Sequence, residues 1–260
     1  MIELSIANHV AEVVLNAPSK LNALDEAALA DLGQAYDDAA AAVGRGEVRA
    51  LLLRGEGRAF CAGRDISGVS PETDDVMGYL GGLVTPLLAK MSSFPAPTFA
   101  AAQGACLGVG LGLLIATDVV YVADTAKIGS PFANLGATLD SGGHWLFTER
   151  LGAHRTLDLI YTAELMSGSQ AVASGLFSRA MPAADLLAAT RATVARVAQG
   201  ATGAFNASKE LVAAIRDSRL GLWDSVAGEN KAQAQLCGSA DYAEGFAAFQ
   251  EKRTPAFKGR

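Results

Sequence analysis

Residues 97–131 read PTFAAAQGACLGVGLGLLIATDVVYVADTAKIGSP, and the way this run divides decides the fold. Taken whole, 99–123 is long and apolar enough to suggest a membrane span. Gln103, Asp118 and the glycines at 104, 108, 110 and 112 argue against that, because polar groups inside a bilayer core are costly and need partners. The run predicts instead a buried strand over Thr98–Ala102, a buried helix near Val109–Ala116 and another buried strand over Val119–Ala123. Short, wholly apolar strands on either side of a helix suit a sheet covered on both faces, and such sheets are largely parallel.

The same rhythm extends to both sides of this run. Upstream, Glu3–Ala7 and Val10–Asn16 alternate and are split by Asn8-His9, which predicts a hairpin. NALDEAALADLGQAYDDAAAAV (22–43) has helical spacing, ALLLRG (50–55) is a buried strand, and RAFCAGRDI (58–66) reads as a strand running into a turn. VMGYLGGLVTPLLAKM (76–91) reads as a helix broken by glycines and Pro86, and PETDD (71–75) as a solvated loop. From about Gly142 onward helical patterns dominate, from GHWLFTERLG and HRTLDLIYT to DYAEGFAAFQEKR. The expectation is an α/β core over 1–195 followed by a helical C-terminal region over 196–260.

Composition narrows the class. Half of the 260 residues are hydrophobic and 18% are charged, enough apolar mass for a sizeable core without covalent staples. The net charge of −6 argues against nucleic acid, which favours a basic face. Cys61, Cys106 and Cys237 are odd in number and lack CxxC spacing, so a reducing, cytoplasmic setting fits better than a disulfide framework. His9, His144 and His154 form no HExxH, and no metal site is expected. The N-terminus has no basic segment of the signal-peptide kind.

Two glycine-marked turns draw the chemistry. CAGRD (61–65) and CLGVGLG (106–112) each follow an apolar stretch, and a helix begins in the second. The first turn of a helix carries unpaired N–H groups and partial positive charge, a natural place for a developing oxyanion. The backbone N–H groups of Arg64 and Val109 are expected to converge on one carbonyl oxygen. Glycines after strands also serve as ordinary tight turns. GVGLG is not the GxGxxG of dinucleotide binding, and the GxSxG of serine hydrolases is absent.

One acid stands out near these turns. In LGATLDSGGHW (135–145), Asp140 lies between an apolar run and two glycines. It can cap a helix starting near Gly143, or it can carry a proton. Ser141 and His144 are expected to cap and pack, Trp145 to be core, and Glu149 and Arg150 to form a solvated face. The Arg64 side chain reads as a solvated cation.

These segments together resemble the crotonase superfamily, the enoyl-CoA hydratase/isomerase family. LNAPSKLNAL (15–24), RAFCAGRDI, the 97–131 run, LFSRAMP (176–182) and FAAFQEKRTPAFKGR (246–260) follow the family's order and spacing. The resemblance implies a spiral of ββα units with a C-terminal helical region that serves in trimerisation or as a lid. It implies a trimer or dimer of trimers, and an acyl-CoA thioester as substrate, with coenzyme A part of that substrate and no separate cofactor. Carried over by position, the two oxyanion N–H groups belong to Arg64 and Val109. Lys20, Leu21, Ala62, Arg64, Asp65, Ile66, Gly108 and Phe132 match positions along the coenzyme A and acyl path, and Lys252 resembles a late basic residue that can reach a phosphate.

The departures carry as much weight. Hydratases of the family position water with two glutamates; here those positions are Gly112 and Phe132. Asp140 falls where some isomerases of the family, including those of phenylacetate breakdown, keep an aspartate, and where aryl-CoA dehalogenases keep a nucleophile. A single base suits a 1,3-proton shift over a held dienolate, and apolar neighbours such as Phe132 and Leu139 are expected to raise its pKa. The leading reading is an enoyl-CoA isomerase. Enoyl-CoA hydratase is the alternative, an acyl-CoA binder without turnover a third reading, and dehalogenation a fourth.

Overall fold

The computed structural model describes residues 1–70 and 72–259; Pro71, at the head of the acidic loop, and Arg260 lie outside the described residues. The hairpin forms as β1 (Ile2–Ala7) and β2 (Val10–Leu15), with Asn8 and His9 both at positive φ in the turn. β2 pairs in parallel with β3 (Ala50–Gly55), β3 with β4 (Thr98–Ala102), β4 with β6 (Val119–Ala123) and β6 with β9 (Arg179–Met181). The order β1-β2-β3-β4-β6-β9 therefore has one antiparallel edge on a parallel sheet. Leu51, Leu52 and Leu53 are fully buried, as a strand covered on both faces requires.

A second sheet runs β5-β7-β8, from Ala105–Leu107, Lys127–Gly129 and Met166–Ser167. The chain crosses from one sheet to the other at Gly104, where φ is 59° and a Cβ would fall 2.0 Å from the Arg58 carbonyl oxygen. An isolated parallel bridge, Cys61 to Cys106, extends this sheet by one position. Successive turns of the chain thus give a strand to each sheet, which is how a spiral of ββα units arises. The helices are α1 (Glu26–Gly44), α2 (Thr85–Ser92), α3 (Val109–Ile115), α4 (Gly143–Thr162), α5 (Gly168–Ala173), α6 (Ala183–Ala198), α7 (Thr202–Ser218), α8 (Leu222–Leu236) and α9 (Ala240–Glu251). No helix among the described residues is long and apolar enough to cross a membrane.

Several expectations need correction. RAFCAGRDI is not a strand; it makes only the bridges Cys61–Cys106 and Leu24–Arg64. Residues 76–91 are not broken: a π-helical run over Gly78–Val84 passes straight into α2, and Pro86 is the second residue of α2. The region after Gly142 contributes β8 and β9 as well as helices. GHWLFTERLG and HRTLDLIYT are joined in α4, with a kink at Gly152, φ 76° and ψ 167°. Position 195 falls inside α6, which packs on β3, β4 and β6.

Candidate active site

The site is assembled by three segments stitched together through their backbones. Asn22 is fully buried with φ 58°. Its side chain accepts from the Ala17 amide at 2.8 Å and donates to the carbonyls of Glu56 at 3.0 Å and Ala59 at 2.8 Å. That fastens the 17–24 segment to the end of β3. Leu21 then accepts from the Ala62 amide at 3.0 Å, and Leu24 donates to Gly63 at 2.8 Å and accepts from Asp65 at 2.9 Å. The trans peptide between Gly63 and Arg64 carries its C=O and N–H on opposite sides, so with the Gly63 C=O turned toward Leu24 the Arg64 N–H faces away from it.

The second turn is held against the first. Cys61 donates to Ala105 at 2.9 Å and accepts from Leu107 at 3.0 Å. Gly63, with φ 103°, approaches so closely that a Cβ would meet the Leu107 carbonyl oxygen at 3.1 Å. Gly108 precedes α3 with φ 52° and ψ −122°, and its own amide is bound by Ser130 Oγ at 3.1 Å. Val109 follows as the first residue of α3. Among the described residues, neither the Arg64 nor the Val109 amide donates a hydrogen bond, so two free donors sit on abutting turns, one of them at a helix N-terminus.

Asp140 approaches α3 from the next segment. Its neighbour Ser141 lies so close to Gly112 that a Cβ on Gly112 would stand 2.5 Å from the Ser141 Cβ. Ser141 holds a left-handed φ of 52° and Gly142 one of 89°. Asp140 Oδ1 and Ser141 Oγ are both buried without a hydrogen-bond partner. α4 starts at Gly143 with Gly142 as its cap and no side-chain capping bond; only the Asp140 carbonyl takes part, accepting from Gly143 at 2.9 Å. Burial pushes the Asp140 carboxyl up from the usual carboxylate range, while Ser141 and His144 nearby pull the other way.

Two aromatics and an arginine close the surroundings. The Phe132 ring lies against Gly108, whose Cβ would be 3.1 Å from Phe132 Cζ. Tyr79 is 3% exposed, and its hydroxyl donates to the Leu24 carbonyl at 3.4 Å. Burial pushes the phenol up, and the Asp140 charge adds to that, whereas Arg64 opposes it. The Arg64 guanidinium stacks over the Tyr79 ring at 4.0 Å and grips Asp74 with bonds of 2.8 and 2.7 Å. It is not the solvated cation expected from sequence.

The remaining predicted residues divide. Lys20 pairs with Asp65 at 2.7 Å, and Asp65 also accepts from Ser67; together they hold the Asp65 carboxyl well below its usual range. Ala62, Leu21 and the exposed Ile66 belong to the same rim. Lys252 instead ends α9 at φ 55°, exposed, with no hydrogen bond to these turns among the described residues. Trp145 is 39% exposed rather than core, with Arg216 5.6 Å above its ring. Tyr79 and Asp74 were missed by sequence reasoning. The tyrosine is the one aromatic of the glycine-rich VMGYLGGLV, a signal that something must fill the space the glycines leave.

The whole chain has relatives with this architecture. Residues 5–260 match the family described as Enoyl-CoA hydratase/isomerase. A "probable enoyl-CoA hydratase" of Rhodobacter capsulatus is 36% identical, covering 100% of this chain and 98% of its own length. The 1,2-epoxyphenylacetyl-CoA isomerase of Escherichia coli is 30% identical over 96% of this chain and 95% of its own. The crystal structure of an enoyl-CoA hydratase from Bacillus anthracis superposes with a TM-score of 0.89 at 27% identity, covering 100% of this chain and 99% of that one. The spiral of ββα units, the two abutting turns and these likenesses make this chain a member of the enoyl-CoA hydratase/isomerase family, within the crotonase superfamily.

Proposed function

We propose that the chain is an enoyl-CoA isomerase, moving a double bond or rearranging a ring within an acyl-CoA thioester. One observation carries the reading: Asp140 keeps a buried carboxylate oxygen free of partners, beside a helix whose Gly112 has no room for a second acid. In the proposed reaction the thioester oxygen accepts from the Arg64 and Val109 amides. Ionised Asp140 takes a proton from the carbon next to the thioester carbonyl of a 3-enoyl-CoA. The electron pair spreads into a dienolate whose oxygen the two amides stabilise. Asp140, now neutral, returns the proton two carbons further along, and the double bond becomes conjugated with the carbonyl. A raised pKa suits a group that must serve as base and then as acid.

Coenzyme A enters as part of the substrate, along Lys20, Leu21, Ala62, Asp65, Ile66, Gly108 and Phe132, with Lys252 reaching a phosphate from the same or a neighbouring copy. We further propose that the chain works as a trimer or dimer of trimers in a reducing, cytoplasmic setting; the free cysteines at 61, 106 and 237 support the latter. Hydration is the second reading, favoured by the name of the Rhodobacter capsulatus relative; it needs a water activated by Asp140 or by a further group. Mixing the protein with 3-hexenoyl-CoA should give the absorbance of a conjugated 2-enoyl thioester. Crotonyl-CoA in a parallel cuvette should keep its conjugation, and its rapid loss would establish the hydratase reading instead.

A further inference from the structure

The Arg64 side chain has work that its main chain does not. The amide is aimed by bonds on either side of it, Leu24 to Gly63 at 2.8 Å and Asp65 to Leu24 at 2.9 Å, none of which involves the guanidinium. The side chain runs the other way, to Asp74 and Tyr79. Both partners of the ion pair are largely shielded, with side-chain exposures of 21% for Arg64 and 16% for Asp74. The bonds are paired and parallel, the geometry in which Arg binds a carboxylate most tightly. The cation also covers the ring of a buried tyrosine at 4.0 Å, a contact that strengthens as water is excluded.

What is held there is the start of a helical wall. Asp75, next to Asp74, accepts from the Gly78 amide at 2.8 Å and, through its carbonyl, from the Tyr79 amide at 2.9 Å. Tyr79 is the second residue of the π-helical run Gly78–Val84, and its hydroxyl reaches the carbonyl of Leu24, the residue that holds Gly63 and Asp65 on either side of Arg64. A π-helical run is looser than an α-helix and recurs at functional sites, so it needs an external tie.

We propose that Arg64 is a positioning residue whose pairing with Asp74 and stacking on Tyr79 fix the helical wall of the acyl cavity against the oxyanion turn. The inference rests on the acyl-CoA reading given above. The clamp determines how firmly, and how selectively by acyl size, the thioester end of the substrate is enclosed. The thioester oxygen is held by the amide; the acyl chain is confined by the side chain.

The test uses the full-length protein and two measurements, KM and kcat with a 3-enoyl-CoA series of increasing chain length, and Kd for octanoyl-CoA, which cannot react. Asp74→Asn keeps the shape and removes the charge. It should raise KM and Kd by about tenfold, leave kcat within about twofold, and flatten the dependence on acyl length. Asp74→Glu, which keeps the charge, should stay near wild type. Arg64→Ala should raise KM at least as much, and Arg64→Ala with Asp74→Asn should be no worse than Arg64→Ala alone, since both remove one interaction. Unchanged KM in Asp74→Asn, additive effects in the double variant, or a fall confined to kcat would overturn the clamp. Failure of the wild-type protein to bind octanoyl-CoA would overturn the thioester reading itself, and the clamp with it.

Discussion

Asp140 is flanked by Leu139, 5% exposed, and by Ser141, whose φ of 52° is unfavourable for a side-chain-bearing residue. A strained neighbour and an unpartnered buried oxygen are costs that a capping role would not explain, since no capping bond forms. Asp140→Asn should lower isomerase kcat by about 10²- to 10⁴-fold while octanoyl-CoA binding stays near wild type. The pKa direction gives a second, independent readout. Because the folded carboxyl holds its proton more tightly than the unfolded one, the wild type loses stability as pH rises from the unfolded pKa of about 3.9 through the raised folded value. Asp140→Asn should therefore be more stable than wild type above that window, with the difference vanishing below it, as read by urea midpoints across pH. The rate profile should show its acid limb at that raised value. Gly112→Glu offers a converse test. The Ser141 Cβ would stand 2.5 Å from the new Cβ, so the substitution should lower Tm and give no crotonyl-CoA hydration.

At the scale of elements, α3 delivers one of the two amides, and Gly108 sets where that amide points. Its φ of 52° with ψ −122° lies outside what an L side chain adopts easily, and a Cβ would press on Phe132 at 3.1 Å. Gly108→Ala should thus turn the Val109 N–H away and lower kcat/KM by at least about tenfold, roughly the loss of part of one oxyanion donor, with a smaller change in unfolding midpoint. β4, α3 and β6 were legible because each is a short, largely apolar run set off by Pro97, Gln103-Gly104, Gly108, Asp118 or Asp124. The 58–66 segment was misread because its pairing is with residues far along the chain, Leu24 and Cys106, and a pattern along the sequence does not show a partner at that distance. β8 and β9 span two and three residues, too few for a period. Trp145 precedes Leu146 and Phe147, so its hydrophobicity suggested core; the helix turns it outward, where Arg216 covers one face. Asp140 and the two turns were singled out from the sequence, whereas Tyr79 and Asp74 emerge only once the helix after the CAGRD turn is placed.

For the molecule as a whole, the C-terminal region is tied to the hairpin end of the core by charge. Arg49, 6% exposed, donates to Thr202 Oγ1 and the Phe257 carbonyl at 3.1 Å each, and to the Gly200 carbonyl. Asp241, 7% exposed, accepts from the Lys258 and Gly259 amides at 2.6 and 2.7 Å. Arg49→Ala strands those acceptors and should cost about 2–4 kcal/mol in urea unfolding. The helices so anchored still show much apolar surface. Phe249 is 85% exposed, Trp223 78%, Leu222 69% and Phe246 53%, and Phe246 and Phe249 line one apolar recess with Leu236, Tyr242 and Phe257. Single exposed apolar residues are ordinary, but a recess lined by several aromatic rings is the kind of surface that a second copy can cover, in line with the proposed trimer. Light scattering after size exclusion should therefore give three or six times the chain mass at micromolar concentration. Phe249→Glu, which places a charge at the edge of that recess, should shift the population toward single chains while leaving far-ultraviolet circular dichroism unchanged. A wild-type chain that runs as a monomer under those conditions would overturn the assembly, because the exposed ring of Phe249 would then have no partner to account for it.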